Sequence, residues 1–355
     1  MINRPFFSIV IPTHNRADLL YFAVKSFLQQ DFGDFEIIIS DNNSTDNTKD
    51  IIKKFNDKRI KYSKNVTNIG FIENIKKAIL KTKGRYVITH GSDDVILFKN
   101  TLSRIYSLIT KKRAGFIRIN VLSKERSNSK IKHVWINERD DIYIEPNLPS
   151  LDIVNFLEKT NVVFISGLVF KNENIIDSDF INSEISPWFN LLFKQTKKYG
   201  AYFLSNLFLV SSWSGGGIGG ICTIDKNNKL YFTNYFNNII KNILGDDQIK
   251  EYESEYYKKI LKDSLFLLPT IKYLSSNKNL IEYKNAMSNF NKKIASSLYF
   301  LFFYYLSLVL PKKVISFIRS NIHYLRKDTQ LTISNVATKK EIVDIEKNYQ
   351  EIIKN

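Results

Sequence analysis

Two adjacent carboxylates, Asp93 and Asp94, follow a short apolar run in the first third of the chain. The run, Tyr86 to Thr89, predicts a buried strand that leads through Gly91 into the acidic pair. In open α/β sheets, ligands bind beside the carboxyl ends of the strands. Paired carboxylates suit a hard divalent cation that keeps part of its coordination shell for a substrate phosphate. We interpret the pair as a metal site; the alternative is a solvated turn, because Gly-Ser-Asp-Asp is also common loop chemistry.

The elements that would position this pair alternate between strand and helix patterns over the first hundred residues. Strands are predicted at 7–11, 35–39, 60–62 and 86–89, with helices between them at 19–30, 47–55 and 72–82. The connections are short, which is typical of an α/β fold with a doubly wound, mostly parallel, Rossmann-like sheet. Three strand ends then meet at one edge of the sheet, at Thr13, Asp41 and Asp93.

Composition limits the classes of protein that this chain can belong to. It has 355 residues, 44% of them apolar, so it can bury a sizeable core. The net charge of +17 predicts attraction to an anionic partner, which can be nucleic acid, lipid or a charged substrate. A single cysteine excludes a disulfide framework.

Several segments resemble the motifs of family 2 glycosyltransferases, in the same order and with the same spacing. They are Ser8 to Arg16, Ile38 to Thr48, Asn68 to Tyr86 and, at the position of the metal-binding DXD-type motif, Gly91 to Asp94. The resemblance implies the GT-A fold, a nucleotide-sugar donor and a divalent metal, Mn²⁺ or Mg²⁺. The Gly-Ser-Asp-Asp form is similar to the subgroup that includes abequosyltransferases of surface-polysaccharide synthesis. The family usually carries an acid where this chain has Gly91.

The resemblance also implies a donor site and a metal site at the three strand ends. The residues expected to bind the nucleotide sugar are Pro12, Thr13, Asn15, Arg16, Asp41, Asn43, Asn68, Gly70, Asn74, Ser92 and Asp93. Thr13 and Asp41 can each offer an acceptor to a pyrimidine, so a UDP- or CDP-linked donor is expected; Asp41 can otherwise cap its own loop. Arg16 can pair with phosphate or remain solvated. A metal at Asp93 and Asp94 would neutralise the diphosphate leaving group.

Sugar transfer by direct displacement also needs a base that takes the proton of the acceptor hydroxyl. In the family this base is a carboxylate just ahead of a helix in the second half of the domain, and the corresponding region here is 177–188. Glu184 is the first candidate and Asp179 the second, and either can instead be a capping or surface acid. His90 and His133 are weaker candidates, because they can simply pack at a strand end and in a surface strand.

The pattern becomes helical after about residue 236, which suggests two domains. We predict a GT-A catalytic domain at 1–235, with a nucleotide-binding half at 1–100 and an acceptor half at 101–235. A helical C-terminal region is predicted at 236–355.

Within the helical region, residues 298–310 are apolar on all faces, and 312–327 form a basic amphipathic pattern. The apolar run is shorter than the ~20 residues that span a bilayer. An aromatic helix beside a basic one is typical of an anchor in the membrane interface, where anionic lipids attract the charges. A helical hairpin packed on the catalytic domain and a homodimer interface are the alternatives.

Together these features predict an inverting, metal-dependent glycosyltransferase that moves a sugar to a hydroxyl of a lipid-linked or surface-polysaccharide glycan. We expect it in the cytoplasm, peripherally attached to the inner face of the plasma membrane. The alternative is a basic nucleic-acid-binding protein without catalytic activity. We expect no nucleic-acid partner, because the basic residues are scattered. A dehydrogenase is disfavoured, since the first turn, Pro12 to Arg16, lacks the glycine fingerprint of dinucleotide-binding folds.

Overall fold

The computed structural model describes residues 4–124, 131–134, 136, 138–180, 186–211, 217–218, 222–224, 230–232, 240–274, 276–290, 292–317, 334 and 336–354. The chain divides into two compact units. Unit 1 comprises residues 1–214 and 331–355, and unit 2 comprises residues 215–330. The domain boundary predicted at residue 235 lies outside the described residues and stays a prediction.

In the part of unit 1 that the structure describes, ten strands form one sheet, with helices between the strands. The strands are β1 (Phe7–Thr13), β2 (Phe35–Asp41), β3 (Ile60–Lys64), β4 (Tyr86–Thr89), β5 (Asp94–Ile96), β6 (Phe116–Lys124), β7 (Ile131–Val134), β8 (Ile142–Ile144), β9 (Leu168–Lys171) and β10 (Ala201–Ser211). The helices are α1 (Ala17–Leu28), α2 (Thr48–Lys53), α3 (Phe71–Ile79), α4 (Thr101–Lys112), α5 (Ser150–Lys159) and α6 (Phe189–Tyr199), with a 3₁₀ turn at Asp177–Asp179.

The strand order confirms the predicted α/β class. Along the path β3-β2-β1-β4-β9-β6-β10-β5, all strands run the same way except β9 and β5, which are antiparallel to their neighbours. All seven residues of β1 are buried, as expected for a central parallel strand that is covered on both faces. Ile9 and Ile11 share one core cluster with Leu20, Val24 and Phe27 of α1.

The direction of β9 decides which loops accompany the strand ends. Leu168, its first residue, pairs with Thr89, the last residue of β4. The segment 160–167 before β9 therefore lies at the carboxyl edge of the parallel strands. Asp94 begins β5 at this same edge, opposite Ser211 of β10.

Unit 2 contains a small antiparallel sheet and a group of helices. Its elements are β11 (Gly217–Ile218), β12 (Cys222–Ile224), β13 (Leu230–Phe232), α7 (Lys241–Leu274, kinked at Gly245), α8 (Asn277–Phe290), α9 (Lys292–Ala295) and α10 (Leu298–Val309). The predicted helical character of this region is confirmed. None of the described helices combines the length and the apolar composition that crossing a bilayer requires.

A last helix, α11 (Lys339–Ile353), belongs to unit 1. It begins with a capping box, in which the Thr338 side chain accepts from the backbone N–H of Glu341 and the Glu341 side chain bonds back to Thr338. Its apolar stripe of Ile345, Tyr349 and Ile352 packs in a core cluster with residues of β5, β6 and β7. The tail of the chain thereby supports the strand that begins at Asp94.

Candidate active site

The loops that follow β1 and β2 are joined by hydrogen bonds at the carboxyl edge of the sheet. Asn42 N donates to Thr13 O (2.9 Å), and Asn15 N donates to Ser44 Oγ (2.9 Å). Asn15 Oδ1 accepts from Thr45 N (2.7 Å). Asn15 adopts a left-handed backbone with φ 51°, a conformation that asparagine tolerates better than most residues. Predicted site residues on two strand ends are therefore brought together.

Thr13 closes β1 with a buried hydroxyl, and Pro12 beside it is buried as well. Thr13 Oγ1 has no hydrogen-bond partner among the described residues. A buried hydroxyl without a partner costs free energy unless a water or a ligand supplies the missing hydrogen bond. The end of β1 thus offers one polar atom to a bound molecule.

Asp41 is buried at the end of β2, and both of its carboxylate oxygens accept hydrogen bonds from the protein. Ser44 N donates to Oδ1 (2.7 Å), and the Tyr62 hydroxyl donates to Oδ2 (2.5 Å). Burial and this contact with Asp41 both raise the pKa of Tyr62. The carboxylate thus holds its own loop, and its predicted contact with a base remains a prediction.

A cluster of amide side chains ties the β2 loop to the loop before α3. Asn74 Oδ1 accepts from Ser40 Oγ (2.7 Å) and from Asn65 Nδ2 (2.8 Å). Asn42 Nδ2 donates to Asn68 Oδ1 (2.7 Å), which also accepts from Gly70 N (3.0 Å). The predicted residues at 68, 70 and 74 therefore lie beside the Asp41 loop. Asn42 was not among the site residues predicted from the sequence, although its position between Asp41 and Asn43 in the motif could have indicated it.

The acidic turn brings the third strand end to the same edge, and its two carboxylates differ in position. Asp94 is buried and its Oδ2 accepts from Ser166 Oγ, while Ser92 beside it is also buried. Asp93 lies at the rim, where it forms an ion pair with Arg16 of the β1 loop. Arg16 therefore joins the first loop to the third. The sequence had left two alternatives for this side chain, pairing with a phosphate or remaining solvated.

Gly91 leaves no room for a side chain in this turn. A Cβ at this position would lie 2.7 Å from Asp94 Oδ2 and 3.1 Å from Asp93 Oδ1. Both distances are shorter than ordinary van der Waals contacts. A side chain at position 91 would therefore meet the Asp94 carboxylate in this arrangement of the turn.

The candidate bases occupy different surroundings. Glu184 lies outside the described residues. Asp179 is buried in the 3₁₀ turn, where its carboxylate accepts from Ile176 N (3.0 Å) and pairs with Lys194. After the undescribed stretch, Trp188 Nε1 donates to Val162 O (2.6 Å), so the chain is anchored to the segment 160–167 shortly after Glu184.

The two candidate histidines, His90 and His133, occupy different places in the fold. His90 is fully buried beneath the acidic turn, where Nε2 donates to Asp94 O (2.9 Å) and the ring meets Phe27 edge-on at 4.8 Å. Burial lowers the pKa of His90 to about 4, so the ring is neutral at physiological pH. His133 lies in β7.

Residues 8–201 match the sequence model of glycosyl transferase family 2, which is more than half of the 355 residues. The chain belongs to this family. The resemblance, the GT-A type of α/β fold and the prediction of a glycosyltransferase are thereby confirmed, over the alternative of a protein without catalytic activity.

Relatives in the family share large parts of this chain. A GalNAc(5)-diNAcBac-PP-undecaprenol β-1,3-glucosyltransferase from Campylobacter jejuni is 29% identical over 72% of this chain and 81% of its own length. The abequosyltransferase RfbV of Salmonella typhimurium is 29% identical over 50% of this chain and 56% of its own length. The structure of Staphylococcus aureus TarS 1–349 in complex with UDP-GlcNAc covers 97% of this chain and 91% of that chain, at 16% identity and a TM-score of 0.49.

The donor set at the rim of this family 2 enzyme has a definite chemistry. Among the described residues, no group of three or more His, Cys, Asp and Glu side chains converges on one point. The rim instead offers the single carboxylate of Asp93, with Asp94 behind it. This set fits a divalent cation such as Mg²⁺ or Mn²⁺ that takes one or two carboxylates and completes its shell with water and substrate phosphate. It does not resemble a closed protein cage.

Proposed function

We propose that this family 2 enzyme is an inverting, metal-dependent glycosyltransferase that moves a sugar from a UDP- or CDP-linked donor to a hydroxyl of a lipid-linked surface glycan. The observation that carries the proposal is the meeting of three strand-end loops at one rim, closed by the ion pair between Arg16 and Asp93. Such a rim places base-binding and diphosphate-binding groups side by side, at the edge where α/β sheets bind ligands.

The nucleoside part of the donor occupies the loops after β1 and β2. Thr13 Oγ1, buried and without a partner among the described residues, hydrogen-bonds the base. Asn15, Asn43 and Asn68 lie on the joined loops and can donate or accept at the base and ribose. The buried amide cluster behind them keeps these loops in place before the donor binds, so little ordering entropy is lost on binding.

The diphosphate lies across the rim between Arg16 and Asp93. Asp93 holds the cation, which supplies Lewis-acid neutralisation of the leaving diphosphate when it is bound. Arg16 adds a second positive charge, and its planar guanidinium suits phosphate oxygens. A bound cation would therefore take Asp93 as its partner, and a bound diphosphate would take Arg16, in place of the ion pair between them.

Glu184 takes the proton of the acceptor hydroxyl as this oxygen attacks the anomeric carbon. It lies a few residues before Trp188, whose indole N–H anchors the chain to Val162 O in the segment 160–167. Asp179 remains the second candidate, although its carboxylate already serves Ile176 and Lys194. One displacement with one base inverts the configuration at the anomeric carbon.

The acceptor places the enzyme at the inner face of the plasma membrane. Helix α10 buries Phe300, Tyr304 and Ser307 within unit 2. Its opposite face is apolar and exposed at Leu298, Tyr299, Phe302, Tyr305 and Val309. Lys312 and Lys313 follow it, and the net charge of +17 favours anionic headgroups over a second copy of this basic chain. The C. jejuni relative is named for an undecaprenol-linked glycan, which supports a lipid-linked acceptor here.

The proposed donor site is tested by binding and turnover together. Isothermal titration of UDP, CDP and GDP with and without Mn²⁺ should give cation-dependent binding of a pyrimidine nucleotide. Asp93→Asn should abolish the Mn²⁺ dependence and lower transfer by at least about a hundredfold, as for loss of one group that stabilises a developing charge. Asp50→Asn, at an exposed ion pair with Lys53, is the control and should leave both unchanged. Full transfer by Asp93→Asn would reject the metal assignment.

The base and the membrane contact have separate tests. Glu184→Gln should retain Mn²⁺-dependent nucleotide binding and lose transfer, whereas Asp179→Asn should lose mainly stability.

Phe302→Ser combined with Val309→Ser should reduce sedimentation with vesicles that contain phosphatidylglycerol. Val343→Ser, at another exposed apolar site, should not reduce it. If the double variant sediments with the vesicles as fully as wild type, α10 is not the membrane anchor. If wild type is a dimer that this variant dissociates, the exposed face of α10 binds a second copy of the chain and not a membrane.

A further inference from the structure

The turn that carries Asp93 is held from behind by the segment 160–167. Thr89 Oγ1 donates to Ile165 O (2.6 Å), and Gly167 N donates to Thr89 O (3.1 Å). These bonds fix the segment to the end of β4, directly beside the acidic turn. Any molecule bound at Asp93 therefore depends on residues some 70 positions further along the chain.

Ser166 is the residue of this segment that contacts the turn itself. Its hydroxyl accepts from Gly91 N (2.7 Å) and donates to Asp94 Oδ2, so one side chain joins both ends of the turn. Ser166 is fully buried. Loss of the hydroxyl would leave the part-buried Gly91 N–H and the buried Asp94 carboxylate without this partner, which costs free energy.

Arg118, in the middle of β6, fixes the segment in turn. Its fully buried guanidinium donates to three backbone carbonyls: Thr160 O (2.9 Å), Asn161 O (3.2 Å) and Ser166 O. Burial lowers the pKa of Arg118 to about 9, and the negative charge of Asp94 acts in the opposite direction. The arginine and Asp94 are thus opposite charges in one interior region, with Ser166 between them.

We propose that Ser166, held by Arg118, is a positioning residue that sets the affinity for the divalent cation by fixing Asp94 and hence the place of Asp93 at the rim. In this arrangement Asp94 anchors the turn and Asp93 binds the cation. The inference rests on the proposed function and adds to it how the ligand is positioned. Ser166 and Arg118 are both buried, and they act through the turn.

The chain offers a matched control for this proposal. Ser8 in β1 is also fully buried; its hydroxyl accepts from Gly84 N (2.7 Å) and donates to Glu36 Oε1 (2.6 Å). The two serines therefore make the same pair of bonds, with a glycine N–H and a carboxylate. Ser8 lies at the amino end of the parallel strands, away from the rim. Ser8→Ala should thus reproduce the stability cost of Ser166→Ala without its effect on the site.

The experiment measures UDP binding by calorimetry across a Mn²⁺ titration, with thermal unfolding in parallel. Ser166→Ala should raise the Mn²⁺ concentration for half-maximal UDP binding by about tenfold, while Ser8→Ala leaves it unchanged. If Ser166→Ala has the same half-saturating Mn²⁺ concentration as wild type and is destabilised as much as Ser8→Ala, the role of Ser166 is purely structural. If wild type itself binds UDP without any Mn²⁺ dependence, the proposed function fails first.

Asp94→Asn provides a second variant that does not depend on the folding of Ser166→Ala. It keeps the shape of the side chain and weakens the bond to Ser166, so it should raise the half-saturating Mn²⁺ concentration without abolishing the dependence. Combined with Ser166→Ala, its effect should be less than additive, because both act through one contact. Loss of Mn²⁺ dependence as complete as in Asp93→Asn would make Asp94 a ligand and overturn the proposal.

Discussion

His90 couples the stability of unit 1 to pH through a buried, neutral imidazole. Its Nε2–H donates to Asp94 O (2.9 Å), and its Nδ1 has no hydrogen-bond partner among the described residues. Protonation of Nδ1 would place a charge and an unpaired N–H in the interior, which is costly. Burial accordingly lowers the pKa of His90 from 6.5 to about 4.

The sign and size of the effect follow from the two pKa values. Above pH 6.5 the imidazole is neutral in both the folded and the unfolded chain, so its full contribution to stability is present. Between pH 6.5 and about pH 4 the unfolded chain takes up a proton that the folded chain does not, and the free energy of unfolding falls. At 1.36 kcal/mol per pKa unit, the loss from His90 amounts to about 3 kcal/mol by pH 4.

The assay is urea unfolding of wild type, His90→Gln and His14→Gln at several pH values between 7.5 and 4.5. His90→Gln should be less stable than wild type at pH 7.5 but should lose about 2–3 kcal/mol less than wild type as the pH falls to 4.5. His14→Gln, at an exposed histidine, is the control for the substitution itself. Equal pH dependence in His90→Gln and wild type would refute the reasoning and assign the acid sensitivity to carboxylates.

Three further predictions concern the turn, the β2 loop and the last helix. Gly91→Ala would place a Cβ 2.7 Å from Asp94 Oδ2 and should weaken Mn²⁺-dependent UDP binding by at least about tenfold. Gly33→Ala is the control, because a Cβ there would have no atom within 4 Å, and it should not weaken binding. Equal titration curves for the two variants would contradict the packing around Gly91. Tyr62→Phe removes a donor from the Asp41 carboxylate and should lower the free energy of unfolding in urea by about 1–3 kcal/mol; no loss would mean that the bond contributes nothing. Thr338→Ala removes the N-cap of α11 and should cost about 1 kcal/mol, seen as a lower Tm, and an unchanged Tm would speak against the capping box.

The strands of the first hundred residues could be predicted closely from the sequence. The predicted strand at 86–89 coincides with β4, because a short β-branched run between Gly84 and Gly91 has few other options. The strand predicted at 7–11 was too short, since β1 continues through Pro12 to Thr13. β4 pairs with β1 only as far as Val10. Beyond that point this side of β1 has no strand ladder with β4, so Pro12 is tolerated although it lacks an N–H to donate.

The supports behind the site were missed, although one of them carried a signal. Arg118 stands between Ile117 and Ile119 in the apolar first part of a strand, and a charge at such a position needs buried partners. Nothing in the sequence indicated which partners, because Thr160, Asn161 and Ser166 lie more than 40 positions further along the chain. Ser166 itself has the composition of an ordinary loop residue.

By itself the sequence determined which loops form the candidate site, because hydrophobic periodicity and strand-end motifs are local properties that a linear pattern records. Only the tertiary structure decided the direction of each side chain there. Asp41 and Asp94 turn inward to Tyr62 and Ser166, whereas Asp93 turns outward to Arg16. The physical reason is that a carboxylate follows its hydrogen-bond donors, and these donors come from other strands that only folding brings into reach.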